Sequence, residues 1–141
     1  MKQLKLVHQI QKSLIVMLLA GILLAYSCQK KPYKQGERLY VNFCANCHME
    51  DGSGLIGNIP PLADSDFFRD NMSLVPCIIR YGLADTIQVN GKDYWQPMTG
   101  IAHLTDIEIS NIINYINEAW GNDLGFYPPD KVKETLTVCP E

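Results

Sequence analysis

The stretch FCANCHMEDG, Phe43 to Gly52, decides how the rest of the chain is read. It sets Cys44 and Cys47 two residues apart, with His48 directly behind them. Three chemistries use such a pair: a zinc half-site, a redox dithiol, or an anchor for a covalently held cofactor. A structural zinc site needs four ligands. Cys44 and Cys47 supply two, His48 follows too closely to be a third in the usual spacing, and Cys77, His103 and Cys139 fall in no familiar pairing. A thioredoxin-like dithiol needs a βαβ context and a low-pKa thiol. The neighbouring sequence reads as helical, with no parallel strands.

The third chemistry fits. Two thiols one helical turn apart can add across the two vinyl groups of a haem, and the next residue then places its imidazole under the iron. C-x-x-C-H is a c-type haem attachment motif, with His48 as the proximal ligand. The iron then needs a second ligand or an open face. Met49 adjoins His48 and cannot reach the far side. Met72 precedes a helix, and His103 lies just before another; both are rivals. Met98 is favoured, because it sits in WQPMTGIAHL, an irregular stretch whose backbone can bend a thioether over the iron. A soft neutral sulfur there would raise the reduction potential.

The start of the chain reads as an export signal. Lys2, Lys5 and Lys12 precede an apolar run from Leu14 to Ala25, too short to span a bilayer comfortably. The run ends in LLAYSCQKK, similar to the lipobox of bacterial lipoproteins, which marks Cys28 as a lipidation site and residues 1–27 as a cleaved signal. An uncleaved anchor and ordinary signal cleavage are the alternatives. Acyl chains on Cys28 would hold the domain at a membrane surface, each buried CH₂ adding about 0.8 kcal/mol. Residues 28–35 read as a polar tether and 36–141 as one domain with a C-terminal tail. The net charge of −3 becomes −6 without residues 1–27, which hold three lysines and no acids. Such an acidic domain excludes nucleic acid as a partner, since neutralising phosphates needs clustered Lys and Arg. Cys77 and Cys139 remain as an even pair in a chain bound for an oxidising compartment, so a disulfide between them is a candidate beside two separate thiols.

The element pattern is mostly helical. Leu39, Tyr40 and Phe43 predict a short helix over 36–43. Residues 74–82 predict a second, with Pro76 in its first turn and Gly82 as its stop. TIQVNGKDYW carries an Asn90-Gly91 hairpin turn. Thr105 and Glu108 form a capping box ahead of a stripe of Ile109, Ile112, Ile113, Ile116 and Trp120, closed by Gly121. YPPDKVKETL adds a short last helix. The fold class is all-α, three to five helices around one haem, with at most one small β-hairpin.

From Gly36 to Asn122 the sequence resembles class I cytochromes c, the small monohaem electron carriers. Gly36, eight residues before Cys44, and Tyr40 match the positions that cross the C-terminal helix, here at Ile112 and Tyr115. Pro60, twelve residues after His48 and followed by Pro61-Leu62, matches the proline whose carbonyl orients the proximal imidazole. Met98 stands six residues before Leu104, the family's spacing from axial methionine to last helix. Thr99 follows Met98 where the family commonly has proline, and the lysine-rich docking rim of mitochondrial relatives is missing. Arg80 and Trp95 are candidates for contacts to the haem propionates. Leu39, Phe43, Leu62, Ile78, Ile79, Ile113 and Trp120 are expected to form the apolar shell.

The resemblance implies a carrier of single electrons between redox proteins, with no small-molecule substrate; the export and lipidation readings make it periplasmic and membrane-tethered, and the scarcity of lysines predicts an acidic or mixed docking face. A haem subunit of an oxidoreductase complex and a ligand-binding haem enzyme or sensor with displaceable Met98 are the alternatives.

Overall fold

The computed structural model describes residues 8, 11–18 and 33–140. Residues 11–18 are helical. Cys28 and the rest of the expected signal and tether up to Pro32 lie outside the described residues. Among those described, no helix is long and apolar enough to cross a membrane.

In the unit from Tyr33 onward, helix α1 spans Lys34–Phe43. It begins two residues before the expected domain start, so Lys34 and Gln35 are helix rather than tether. α1 packs on α5, Asp106–Glu118, the longest element. A Cβ on Gly36 would run into the Asn111 carbonyl oxygen and come within 2.8 Å of Tyr115 Cβ. Only glycine allows this approach, and the crossing brings the Tyr40 and Tyr115 rings to 5.3 Å. Tyr40 is fully buried there.

α5 starts at the expected capping box. Thr105 Oγ1 accepts from the Glu108 N–H, and a Glu108 carboxylate oxygen accepts from the Thr105 N–H. Ile109, Ile112, Ile113 and Ile116 are buried as their spacing requires. The helix ends sooner than expected, at Glu118. Trp120 has φ +53°, so it leaves the stripe instead of extending it. Its indole turns back onto Tyr40 and Tyr115, with centroids 5.1 and 5.6 Å away. A second row on α5 was not legible as such: Ser110, Asn114 and Asn117 are buried polar residues. They hold the chain that follows. Ser110 Oγ and Asn114 Nδ2 donate to the Tyr127 carbonyl, and the Tyr127 N–H donates to Asn114 Oδ1. The tail helix α6, Pro129–Leu136, buries Val132 completely.

Between α1 and α5 lie α2, Ala45–His48, α3, Asp66–Asp70, and α4, Val75–Tyr81. Among the described residues from Tyr33 onward there are six helices, one above the expected three to five, and α2 and α3 are short helices of four and five residues. α3 has a signal the sequence reading passed over: Ser65 as N-cap, its Oγ accepting from the Phe68 N–H. α4 carries Pro76 in its first turn and stops at Gly82, as expected. Strands β2, Ile87–Val89, and β3, Lys92–Tyr94, form the hairpin, with Asn90 and Gly91 both at positive φ. A second pair was not expected. β1, Gly82–Leu83, is antiparallel to β4, Met98–Thr99, so 95–104 is not wholly irregular. Cys77 on α4 is joined by a disulfide to Cys139, beyond α6, with Cα atoms 5.6 Å apart.

Candidate functional site

The site begins where α1 ends. Cys44 caps α1, donating its N–H to the Tyr40 carbonyl, and opens the single turn of α2. The His48 N–H closes that turn on the Cys44 carbonyl at 2.9 Å. Both thiols and the imidazole thus come from five consecutive residues. Behind them Met49 takes φ +63°, and the chain folds back as a glycine-rich loop. The Gly54 N–H donates to the His48 carbonyl, and the Leu62 and Ala63 N–H groups donate to the Gly52 carbonyl. This brings the Pro60 carbonyl oxygen to 3.0 Å from His48 Nδ1. An Nδ1–H donated there leaves Nε2 as the ring's free acceptor. His48 is 8 % exposed. Burial lowers its pKa and outweighs the Pro60 hydrogen bond, which acts the other way. Burial thus favours the neutral imidazole, the form that ligates a metal.

His48 lines a cavity of about 460 Å³ together with Cys44, Cys47, Pro60, Leu62 and Met98. Most of its remaining wall is apolar: Phe43 and Ile59 beside the motif, Phe67 and Phe68 from α3, Val75, Ile78 and Ile79 from α4, Leu83, Val89 and Tyr94 from the strands, and Ile112 and Ile116 from α5. The residues expected to hold the cofactor, Cys44, Cys47, His48, Pro60, Leu62 and Met98, therefore line one cavity. Met72 and His103 do not line it. Met72 packs against the main core, and the His103 ring stands edge-on to Phe43 at 5.5 Å.

Several expectations change. Phe43 is 39 % exposed while lining the cavity. Ile113 and Trp120 pack in the core between α1 and α5 rather than in the cavity wall. Arg80 and Trp95 are not cavity residues. Trp95 is 62 % exposed, and the Arg80 guanidinium reaches the Ala102 carbonyl at 2.9 Å and Asp106 at 3.1 Å. The helix dipeptide Phe67-Phe68 and the hairpin residues Val89 and Tyr94 were missed as wall. Ser65 and the alternation around Asn90-Gly91 were their signals.

Burial, then the neighbouring Cys47, pushes the Cys44 thiol up to about 12. That is the opposite of a reactive dithiol. The zinc alternative loses two of its candidate ligands to the Cys77–Cys139 disulfide. What fits is a large apolar group: most of the lining is apolar, two free thiols lie along it, and one imidazole has a free ring nitrogen.

Residues 33–120 match the family described as Cytochrome c. Cytochrome c-552 of Thermus thermophilus is 35 % identical over 113 residues, covering 75 % of this chain and 69 % of that protein. The cytochrome c subunit of a quinone alcohol dehydrogenase from Gluconobacter oxydans is 32 % identical over 92 residues, which is 62 % of this chain but only 19 % of that protein. The cytochrome c subunit of gluconate 2-dehydrogenase from Pantoea cypripedii is 30 % identical over 90 residues, 20 % of its length. With the attachment motif, the oriented imidazole and the apolar enclosure all in the matched segment, the chain belongs to the cytochrome c family and is a covalent haem c protein.

Proposed function

We propose that this electron carrier is exported and held at a membrane surface through lipid on Cys28, and that Cys44 and Cys47 bind its single haem through thioethers, with His48 and Met98 as the axial ligands. The observation that carries the reading is that His48, Met98 and both free thiols line one apolar cavity. Bound haem supplies the one-electron Fe(II)/Fe(III) couple. The protein's residues do the rest. Pro60 fixes the tautomer and direction of His48. Met98 would supply a neutral sulfur to the iron, which would favour the reduced state and limit access by small ligands. The apolar wall keeps water away, and Pro60 and Leu62 close it beside the motif. Holding the same ligands in both oxidation states would keep reorganisation small and electron transfer fast. Partners are redox proteins, meeting a mature surface of net charge −6 rather than a lysine rim.

The test is spectroscopic. Methionine ligation gives the ferric protein a weak far-red charge-transfer band. Met98→Ala is expected to abolish it, and Met72→Leu and His103→Ala to leave it. A band that survives Met98→Ala would overturn the assignment. Mass spectrometry of membrane-extracted protein is expected to find a diacylated or triacylated Cys28 as first residue; an unmodified terminus elsewhere would remove the tether.

The likeness to dehydrogenase cytochrome subunits supports a second reading, as the haem subunit of an oxidoreductase complex. Copurification with a dehydrogenase at fixed stoichiometry would favour it over a free carrier.

A further inference from the structure

The geometry points to a role for the Cys77–Cys139 disulfide beyond stability: with the tail it anchors, it positions Met98. Cys77 and Cys139 are positioning residues for the axial sulfur. This rests on the reading of Met98 as an iron ligand.

The connection runs through α4. On one side this helix is bonded covalently to the tail at Cys77; on the other, Ile78 and Ile79 line the cavity. α4 has seven residues and no side-chain N-cap. Two turns do not hold themselves in water, so its place is set by what it is fastened to. From its end the chain passes directly into β1, and β1 pairs with the strand that contains Met98, Leu83 opposite Met98 and Gly82 opposite Thr99. Gly82 has φ +90°, and a Cβ there would strike the Met98 carbonyl oxygen. The Ile101 N–H donates to the Ile79 carbonyl at 2.8 Å, and Arg80 donates to the Ala102 carbonyl. Residues 98–102 therefore take their position from α4 and β1.

The tail supplies a fixed point. Tyr127 is gripped by Ser110 and Asn114 of α5, its hydroxyl lies 3.1 Å from Thr135 Oγ1, and Val132 is fully buried. The disulfide carries that anchorage from α6 across to α4. The cross-link also closes a covalent loop whose ends are 62 residues apart in sequence. Met98 lies inside that loop. Cys44, Cys47, His48 and Pro60 lie outside it. Cutting the link should therefore loosen one axial ligand and leave the other.

An added ligand such as imidazole competes with Met98 for ferric iron, and its apparent affinity scales with the fraction of molecules in which the sulfur is off. In holo-protein carrying Cys77→Ser and Cys139→Ser together, imidazole is expected to bind at least about tenfold more tightly than in the unaltered protein, by that scaling. The reduction potential should fall and the far-red band should be lost at lower denaturant. Val132→Ala, with the disulfide intact, should shift imidazole affinity in the same direction by less. A double variant with a lower thermal midpoint but unchanged imidazole affinity and band would show that the link only stabilises, and would overturn the proposal. If the double variant yields no folded holo-protein, an unchanged affinity in Val132→Ala overturns it. A far-red band missing from the unaltered protein is a different failure: it removes the Met98 reading itself.

Discussion

His48 and Met98 line the same cavity, yet they are held in opposite ways. The bonds that fix His48 come from Cys44, Gly54 and Pro60, all within twelve residues of it. Met98 sits in a two-residue strand whose partner, Gly82–Leu83, lies fifteen or more residues earlier, behind a hairpin. The first wall is one stretch of chain folded on itself. The second is assembled from α3, α4 and two strand pairs. Closing short loops costs little chain entropy, whereas the second wall exists only once distant segments have docked. One proposed ligand is therefore placed by local sequence and the other by the fold.

The sharpest break in this comparison comes from the attachment residues. With Cys44→Ala and Cys47→Ala together, no covalent pigment should remain, and acid-acetone should extract all the haem from any coloured product. Retention after extraction would contradict the thioether reading. A smaller and one-sided effect is expected at Gly82. Alanine there must hold φ near +90° with its Cβ against the Met98 carbonyl oxygen. Strain and overpacking of this kind cost about 1–3 kcal/mol. Thermal unfolding should show that loss, and the far-red band should weaken, while the haem stays covalently attached. If Gly82→Ala lowered stability without touching the band, the β1–β4 pairing would not govern Met98.

The same division explains what could be read in advance. The attachment motif and the Thr105–Glu108 box are short local signals, while the Pro60 contact and the Gly36 crossing are what the family resemblance implies at single residues; the capping box, the Pro60 contact and the close approach at Gly36 are all present. The far wall was legible only in pieces. Met98 was favoured because its stretch reads as irregular and because the resemblance implies an axial methionine six residues before Leu104; neither signal announces its strand. A two-residue pair such as β1–β4 has too few positions to show a period. Phe67 and Phe68 look like an unremarkable apolar doublet until Ser65 is recognised as a cap. Ser110, Asn114 and Asn117 lie off the apolar stripe that the sequence shows. They are buried nonetheless, because Tyr127 and Gly125 supply backbone partners that no helical pattern announces. Arg80 misled for the same reason: its partners Ala102 and Asp106 are set by the docking of α4 beside α5, which the local sequence does not encode.

The smallest expected effect is at a place belonging to neither wall, and it marks where the second one stops. Thr105→Ala removes the hydroxyl that accepts from the Glu108 N–H. Losing an N-cap costs about 1 kcal/mol. The thermal midpoint should fall slightly, with far-red band and imidazole affinity unchanged. The partner carboxylate adds a pH signature. Hydrogen bonds from the Thr105 N–H and hydroxyl hold the Glu108 carboxyl below its usual range. A depressed folded pKa means the contribution is present above the unfolded glutamate value and is lost as pH falls through the folded one. The stability gap between the unaltered protein and Glu108→Ala should therefore be widest at neutral pH and shrink in acid, as urea unfolding at a series of pH values would show. A gap that stayed constant would place the residue's contribution in packing rather than charge. A change in the far-red band in Thr105→Ala would extend the Met98 wall through Leu104 into the first turn of α5.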